Sequence, residues 1–208
     1  MGALHLVMIV RLITGAAVTN AKERVIDFEQ GTSGADAFDL YGSQGVTLPT
    51  HPTIVETPQA RSGQRALRCG PPLEGSSPEP LTISFKEELD VKRVTLFVGL
   101  EDIAPGEQVS IQAEAIAIVP VTVSTQEAPA LLMPSVIEVK VLTVTGGPEG
   151  GPTPLETRFE LSRGSAKSPI AAVRLTALPS TRVILVDDLT FETGSTKTKT
   201  KTKGKASR

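Results

Sequence analysis

Two adjacent acids near the end of the chain and one near its start are the residues whose setting could do chemistry. In Val183-Ile184-Leu185-Val186-Asp187-Asp188-Leu189-Thr190-Phe191 the carboxylates sit among large apolar side chains. Read as a strand, positions 183, 185, 189 and 191 share one face, and Asp187 falls on that same side. A carboxylate on a buried face is costly unless it is paired, protonated or metal-bound, and all three remain open. Asp188 points the other way, beside Ile184 and Val186, so the dyad puts one acid on each face. The early run Val25-Ile26-Asp27-Phe28-Glu29 ends on Glu29, with Asp27 two residues before it on the same face.

Hydrolytic chemistry finds no support in these residues. A catalytic triad needs a nucleophile, a base and an orienting group brought together. The chain has two histidines, His5 in an apolar leader and His51 between Pro49 and Pro52, and it has no G-x-S-x-G elbow. Glu101/Asp102 and Asp187/Asp188 are adjacent pairs, and neighbours on a strand face opposite ways, which defeats the geometry of glycoside hydrolysis. His51 with a single cysteine in the chain makes no zinc site. Gly146-Gly147 and Gly150-Gly151 lie in a Pro-rich loop that no helix follows, so they form no phosphate cradle. Cys69, in the strand-like run Arg65-Ala66-Leu67-Arg68-Cys69, reads as a buried thiol, and as the one cysteine it excludes an intramolecular disulfide. An enzyme is not expected.

The elements that must position these residues are strands. Leu81-Thr82-Ile83-Ser84-Phe85 alternates apolar and hydroxylated residues, and Val94, Leu96, Val98 and Leu100 alternate with Thr95, Phe97 and Gly99. No window carries a sustained helical stripe. Candidate strands are Arg24–Glu29, Gly45–Leu48, Ala66–Cys69, Leu81–Phe85, Arg93–Leu100, Val109–Ile118, Val136–Val144, Glu156–Leu161, Ile170–Leu175 and Arg182–Phe191, with turn chemistry between them. Such spacing predicts an all-β, antiparallel β-sandwich of about eight to ten strands. Long Gly- and Pro-rich breaks fall at 31–45, 71–80 and 146–154, and the stretch 120–134 is ambiguous.

Composition divides the 208 residues into three parts. Residues 1–21 form an apolar, signal-like leader ending in small residues, 22–193 the sandwich, and 194–208 a Lys/Thr-rich tail read as solvated. The tail holds five Lys and one Arg, which leaves 15 basic against 23 acidic residues elsewhere, about −8. An acidic body repels phosphate backbones, so no nucleic acid is expected on the folded part. No stretch has the roughly 20 apolar residues of a membrane span. The leader makes export, and an extracellular or cell-surface location, the expectation.

Val25 to Glu29 followed by a Gly-rich loop, the run Val183 to Phe191, and the step Ala60-Arg61-Ser62-Gly63-Gln64-Arg65-Ala66-Leu67 together resemble the galactose-binding-like jelly rolls of bacterial extracellular proteins. Many non-catalytic carbohydrate-binding modules are of this kind. The resemblance implies a jelly roll with its first and last strands side by side. It also implies a structural Ca²⁺ held by an early Glu and a late Asp, which by position are Glu29 and Asp187. Hard carboxylate oxygens completed by loop carbonyls suit that ion. The alternative is that both acids accept hydrogen bonds from backbone or Arg. The first strand departs from the pattern in lacking a second Glu close to Glu29.

The expected function is then a secreted, non-catalytic module that binds a glycan or cell-surface polymer through loops at one end of the sandwich. The candidate contact segment is Asp36 to Gln44, with Phe38 and Tyr41, and His51 nearby. Tyr41 is the best stacking candidate in a chain with six Phe, one Tyr and no Trp. Phe38 and Tyr41 could equally plug the core beneath the loop. Aromatic poverty also suits an adhesive or structural spacer with no small ligand.

Overall fold

Leu81-Thr82-Ile83-Ser84-Phe85 folds as its alternation requires, with three apolar residues buried and two hydroxylated ones half-exposed. The computed structural model describes residues 22–69, 80–121, 131–179 and 181–194. The leader 1–21 and the tail from 195 onward lie outside the described residues, as do 71–79 and 122–130 of the two irregular stretches. The described residues form eleven strands: β1 Lys22–Ile26, β2 Val46–Thr47, β3 Thr53–Glu56, β4 Arg65–Cys69, β5 Leu81–Phe85, β6 Val91–Leu100, β7 Gln108–Val121, β8 Leu131–Thr145, β9 Thr157–Ser162, β10 Ile170–Leu178 and β11 Ile184–Thr193. A single 3-10 turn, Gly42–Gln44, is the one helical piece among the described residues. No helix there is long and apolar enough to cross a membrane.

The count is one above the sequence expectation because β3 was not foreseen. Pro49, Pro52 and Pro58 crowd its four residues. It escapes the usual exclusion of proline by lying at the edge of its sheet, where no second ladder is needed.

The strands form two antiparallel sheets packed as a sandwich. One runs β3-β4-β11-β6-β9, with β1 also on β11, and the other runs β2-β5-β10-β7-β8. From β4 onward the chain changes sheet at nearly every step, which is the jelly-roll path. Between the sheets lies one continuous apolar core, including Phe28, Leu67, Ile83, Leu96, Phe159 and Phe191. Full burial of each such side chain contributes about 1.5–3 kcal/mol. Cys69 belongs to this core, and burial pushes its thiol well above the ordinary value, so it stays protonated.

The last strand is the hinge of the design. β6 runs along one side of it, pairing from Ile184 to Thr193. Along its other side β4 covers Ile184 to Val186, and β1 covers Leu189 to Thr193. First and last strands are therefore neighbours, and the two partners on that side leave a gap at Asp187 and Asp188.

Candidate functional site

At that gap the register of β11 slips by one residue against β6, with Asp187 opposite Phe97 but Thr190 opposite Thr95. The slip is a bulge, and Asp188 takes it up in the left-handed region at φ 46°. The consequence corrects the alternation expected for this run. Ile184 and Val186 face the main core before the bulge, and Leu189 and Phe191 face it after. Leu185 lies on the outer face with Ala66 and Leu155. Asp187 shares that outer face, as does Phe97 opposite, so it does not point into the core between the sheets. It is nonetheless 0% exposed.

The turn between β3 and β4 covers it. Asp187 Oδ2 accepts the backbone N–H groups of Arg61 at 2.7 Å and Ser62 at 3.1 Å, and Oδ1 accepts that of Asp188 at 2.8 Å. Asp188, expected on the opposite face, is brought to the same turn by its left-handed backbone. Its carboxylate accepts the Ser62 hydroxyl at 2.6 Å and the Arg61 Nε at 3.1 Å.

Glu29 grips the other limb of the turn. β1 ends at Ile26, earlier than expected, and Glu29 follows Phe28, a buried residue held at φ 57°. Its Oε1 accepts the N–H groups of Gln64 at 2.9 Å and Arg65 at 2.8 Å. Gly63 sits between the two grips at φ 65°, where a Cβ would lie 2.3 Å from the Glu29 carboxylate. Only glycine fits there. The two acids singled out for calcium thus converge on one turn from opposite sides, each through backbone donors.

A cation shared by these acids would need open oxygen lone pairs and nearby carbonyls. Glu29 Oε1 and Asp187 Oδ2 each already accept two N–H groups. Arg65 Nη1 donates to the loop carbonyls of Glu29 and Gly31, both at 2.8 Å, so a guanidinium charge already stands at the oxygens a metal would share. Among the described residues no group of three or more His, Cys, Asp or Glu could hold a metal. The donor set does not fit Ca²⁺.

The proposed contact residues separate. Tyr41 is 1% exposed, stands edge-on to Phe28 at 5.4 Å between centroids, and directs its hydroxyl to the Gln30 carbonyl at 3.3 Å. Buried in this way its ring offers no face to a ligand, and the stacking role expected of it is withdrawn. Phe38 and His51 do come together. Their rings stack at 4.6 Å with an interplanar angle of 10°, at the surface. Asp36 organises the pair: Oδ2 meets His51 Nδ1 at 2.6 Å, and Oδ1 accepts the Phe38 N–H at 2.8 Å. The contact with His51, and then the Phe38 N–H, holds the Asp36 carboxyl below its ordinary value.

A second open surface was not foreseen. On the outer face of the first sheet, Glu23, Arg61, Thr95, Phe97, Arg158 and Thr190 line a shallow groove of about 450 Å³. The Arg61 guanidinium lies over the Phe97 ring, 3.8 Å from its centroid. Phe97 read correctly as outward-facing from its alternation, but nothing in the sequence spacing linked it to Arg61.

No protein-family model and no curated protein sequence matches the chain. Among solved structures, the K2 cleaved adhesin domain of Lys-gingipain aligns over 82% of this chain and 99% of its own, at 15% identity and a TM-score of 0.46. The CBM22-1 xylan-binding domain of a Paenibacillus barcinonensis protein aligns over 85% of this chain and 97% of its own, at 12% identity and a TM-score of 0.45.

Proposed function

We propose that the chain is a non-catalytic extracellular binding module that contacts a glycan or cell-surface polymer through the loop carrying Phe38 and His51. One observation carries this reading: two flat rings stacked at the surface, with Asp36 fixing both. A ring pair held in place loses little side-chain entropy on binding, and its apolar edge with adjacent polar atoms matches the mixed surface of a sugar.

The test is a glycan array probed with the full chain, followed by titration of the best hit against Phe38→Ala and His51→Ala. Loss of one stacking contact is worth about 1.4 kcal/mol, which is roughly a tenfold weaker Kd. Each variant should therefore bind about tenfold more weakly and melt like wild type. A hit whose affinity is untouched by both substitutions would overturn the assignment of the loop. A second reading rests on the groove over Phe97, where Arg61, bonded to Asp188, and Arg158, paired with Glu160 at 3.0 Å, stand with Glu23 around an aromatic face. In that case Arg158→Ala would weaken binding and Phe38→Ala would not.

A further inference from the structure

The resemblance to calcium-binding jelly rolls and the donor set observed here disagree, and Arg65 stands at the centre of the disagreement. Its Nη1 donates to the carbonyls of Glu29 and Gly31, both at 2.8 Å, while its own backbone N–H is held by the Glu29 carboxylate. Both bonds run the same way: Arg65 donates, and Glu29 accepts once through its side chain and once through its main chain. Arg65 Nη2 also lies 3.7 Å from Glu56 Oε1 across the β3–β4 pair. One side chain therefore collects loop oxygens from the segment after β1 and ties them to the start of β4.

We propose that Arg65 is the resident cation of this domain, supplying from within the chain the positive charge and oxygen-gathering contacts that would otherwise call for a bound calcium ion. A guanidinium suits the task because it stays charged at any ordinary pH and offers several donors from one plane. It also cannot dissociate. Asp187, relieved of any metal, is free to spend its three acceptor contacts on backbone N–H groups. The segment after β1, the 57–64 turn and β11 are thereby joined without an ion, and the domain's stability is independent of calcium.

The experiment is a thermal melt of the full chain in excess EGTA and in millimolar CaCl₂, for wild type, Arg65→Lys and Arg65→Ala. Wild type should melt within about one degree in the two buffers, and calorimetric titration with CaCl₂ should show no binding heat. Arg65→Ala should melt several degrees lower, with faster amide exchange at Ser62 and Gln64 than in wild type. Arg65→Lys should fall between them, since an ammonium keeps the charge but loses the fork. If Arg65→Ala fails to fold, the lysine variant and the wild-type melts still decide the matter. A wild-type melting point that rises by several degrees with calcium overturns the proposal. So does an Arg65→Ala variant that melts and exchanges like wild type.

Discussion

Removing the Asp187 carboxylate should cost more than its place near the surface suggests. Asp187→Ala leaves three backbone N–H groups, those of Arg61, Ser62 and Asp188, without their acceptor. An unsatisfied buried donor costs roughly 1–3 kcal/mol. Arg61 is exposed and Ser62 half-buried, so water can reach that side once the carboxylate is gone, which favours the low end. About 1 kcal/mol for each donor gives a loss near 3 kcal/mol. At 2–4 °C per kcal/mol for a domain of this size, the melting point should fall by about 6–12 °C. Burial raises the Asp187 carboxyl above its ordinary value, and the neighbouring Asp188 charge pushes the same way, against the backbone donors of Ser62, Asp188 and Arg61. A carboxyl whose folded value exceeds its unfolded one binds protons more tightly when folded. Its effect on stability is therefore a penalty at neutral pH that is relieved as pH falls through the folded value toward about 4. Urea unfolding of both proteins at several pH values from 7 down to 4.5 reads both effects. The gap between wild type and Asp187→Ala should widen toward acid. A gap under 1 kcal/mol at neutral pH, or one that narrows on acidification, would refute the reasoning.

Two further substitutions probe the same clasp and its neighbour. Gly63→Ala combines a left-handed backbone with a Cβ driven into the Glu29 carboxylate, and it should cost about 2 kcal/mol by urea unfolding. Tyr41→Phe removes the hydroxyl from the Gln30 carbonyl while keeping the edge-on contact with Phe28. It should lower stability by about 1 kcal/mol and leave any glycan affinity unchanged, because the ring is buried.

The fold was largely legible because its signal is local. β5 alternates along its whole length and β6 does so from Val94 to Val98, and over those stretches the structure buries the residues that the pattern selects. Turn residues marked the ends of most other strands to within a few positions. What failed was β3, where clustered prolines masked four extended residues that an edge position tolerates. Phe38 and His51 were legible as neighbours by chain proximity. For Tyr41 the sequence left stacking and core-plugging open, since a tyrosine in a polar loop carries no mark of which way its ring turns, and the structure takes the second.

The clasp was half-legible, and a single residue accounts for the other half. Reading β11 with an unbroken period of two put Asp187 in the core, to be explained by a metal, by protonation or by hydrogen bonds from backbone or Arg, and the backbone bonds are what the structure has. The core-facing residues of that strand are Ile184, Val186, Leu189 and Phe191, and their spacing runs two, three, two. A step of three in a strand signals an inserted residue, and the acid dyad lies inside that step. Once the bulge is admitted, Asp187 leaves the core and its burial has a different origin. β4 and β1 abut along one edge of β11 without covering Asp187 and Asp188, and the turn before β4 closes the opening. A turn over an open strand edge brings unpaired N–H groups, and carboxylates are the side chains best able to accept several at once. Two acids at the bulge, Gly63 in the turn and Arg65 just beyond it are therefore one device. Its purpose is to seal the seam where the first strand gives way to the fourth along the last.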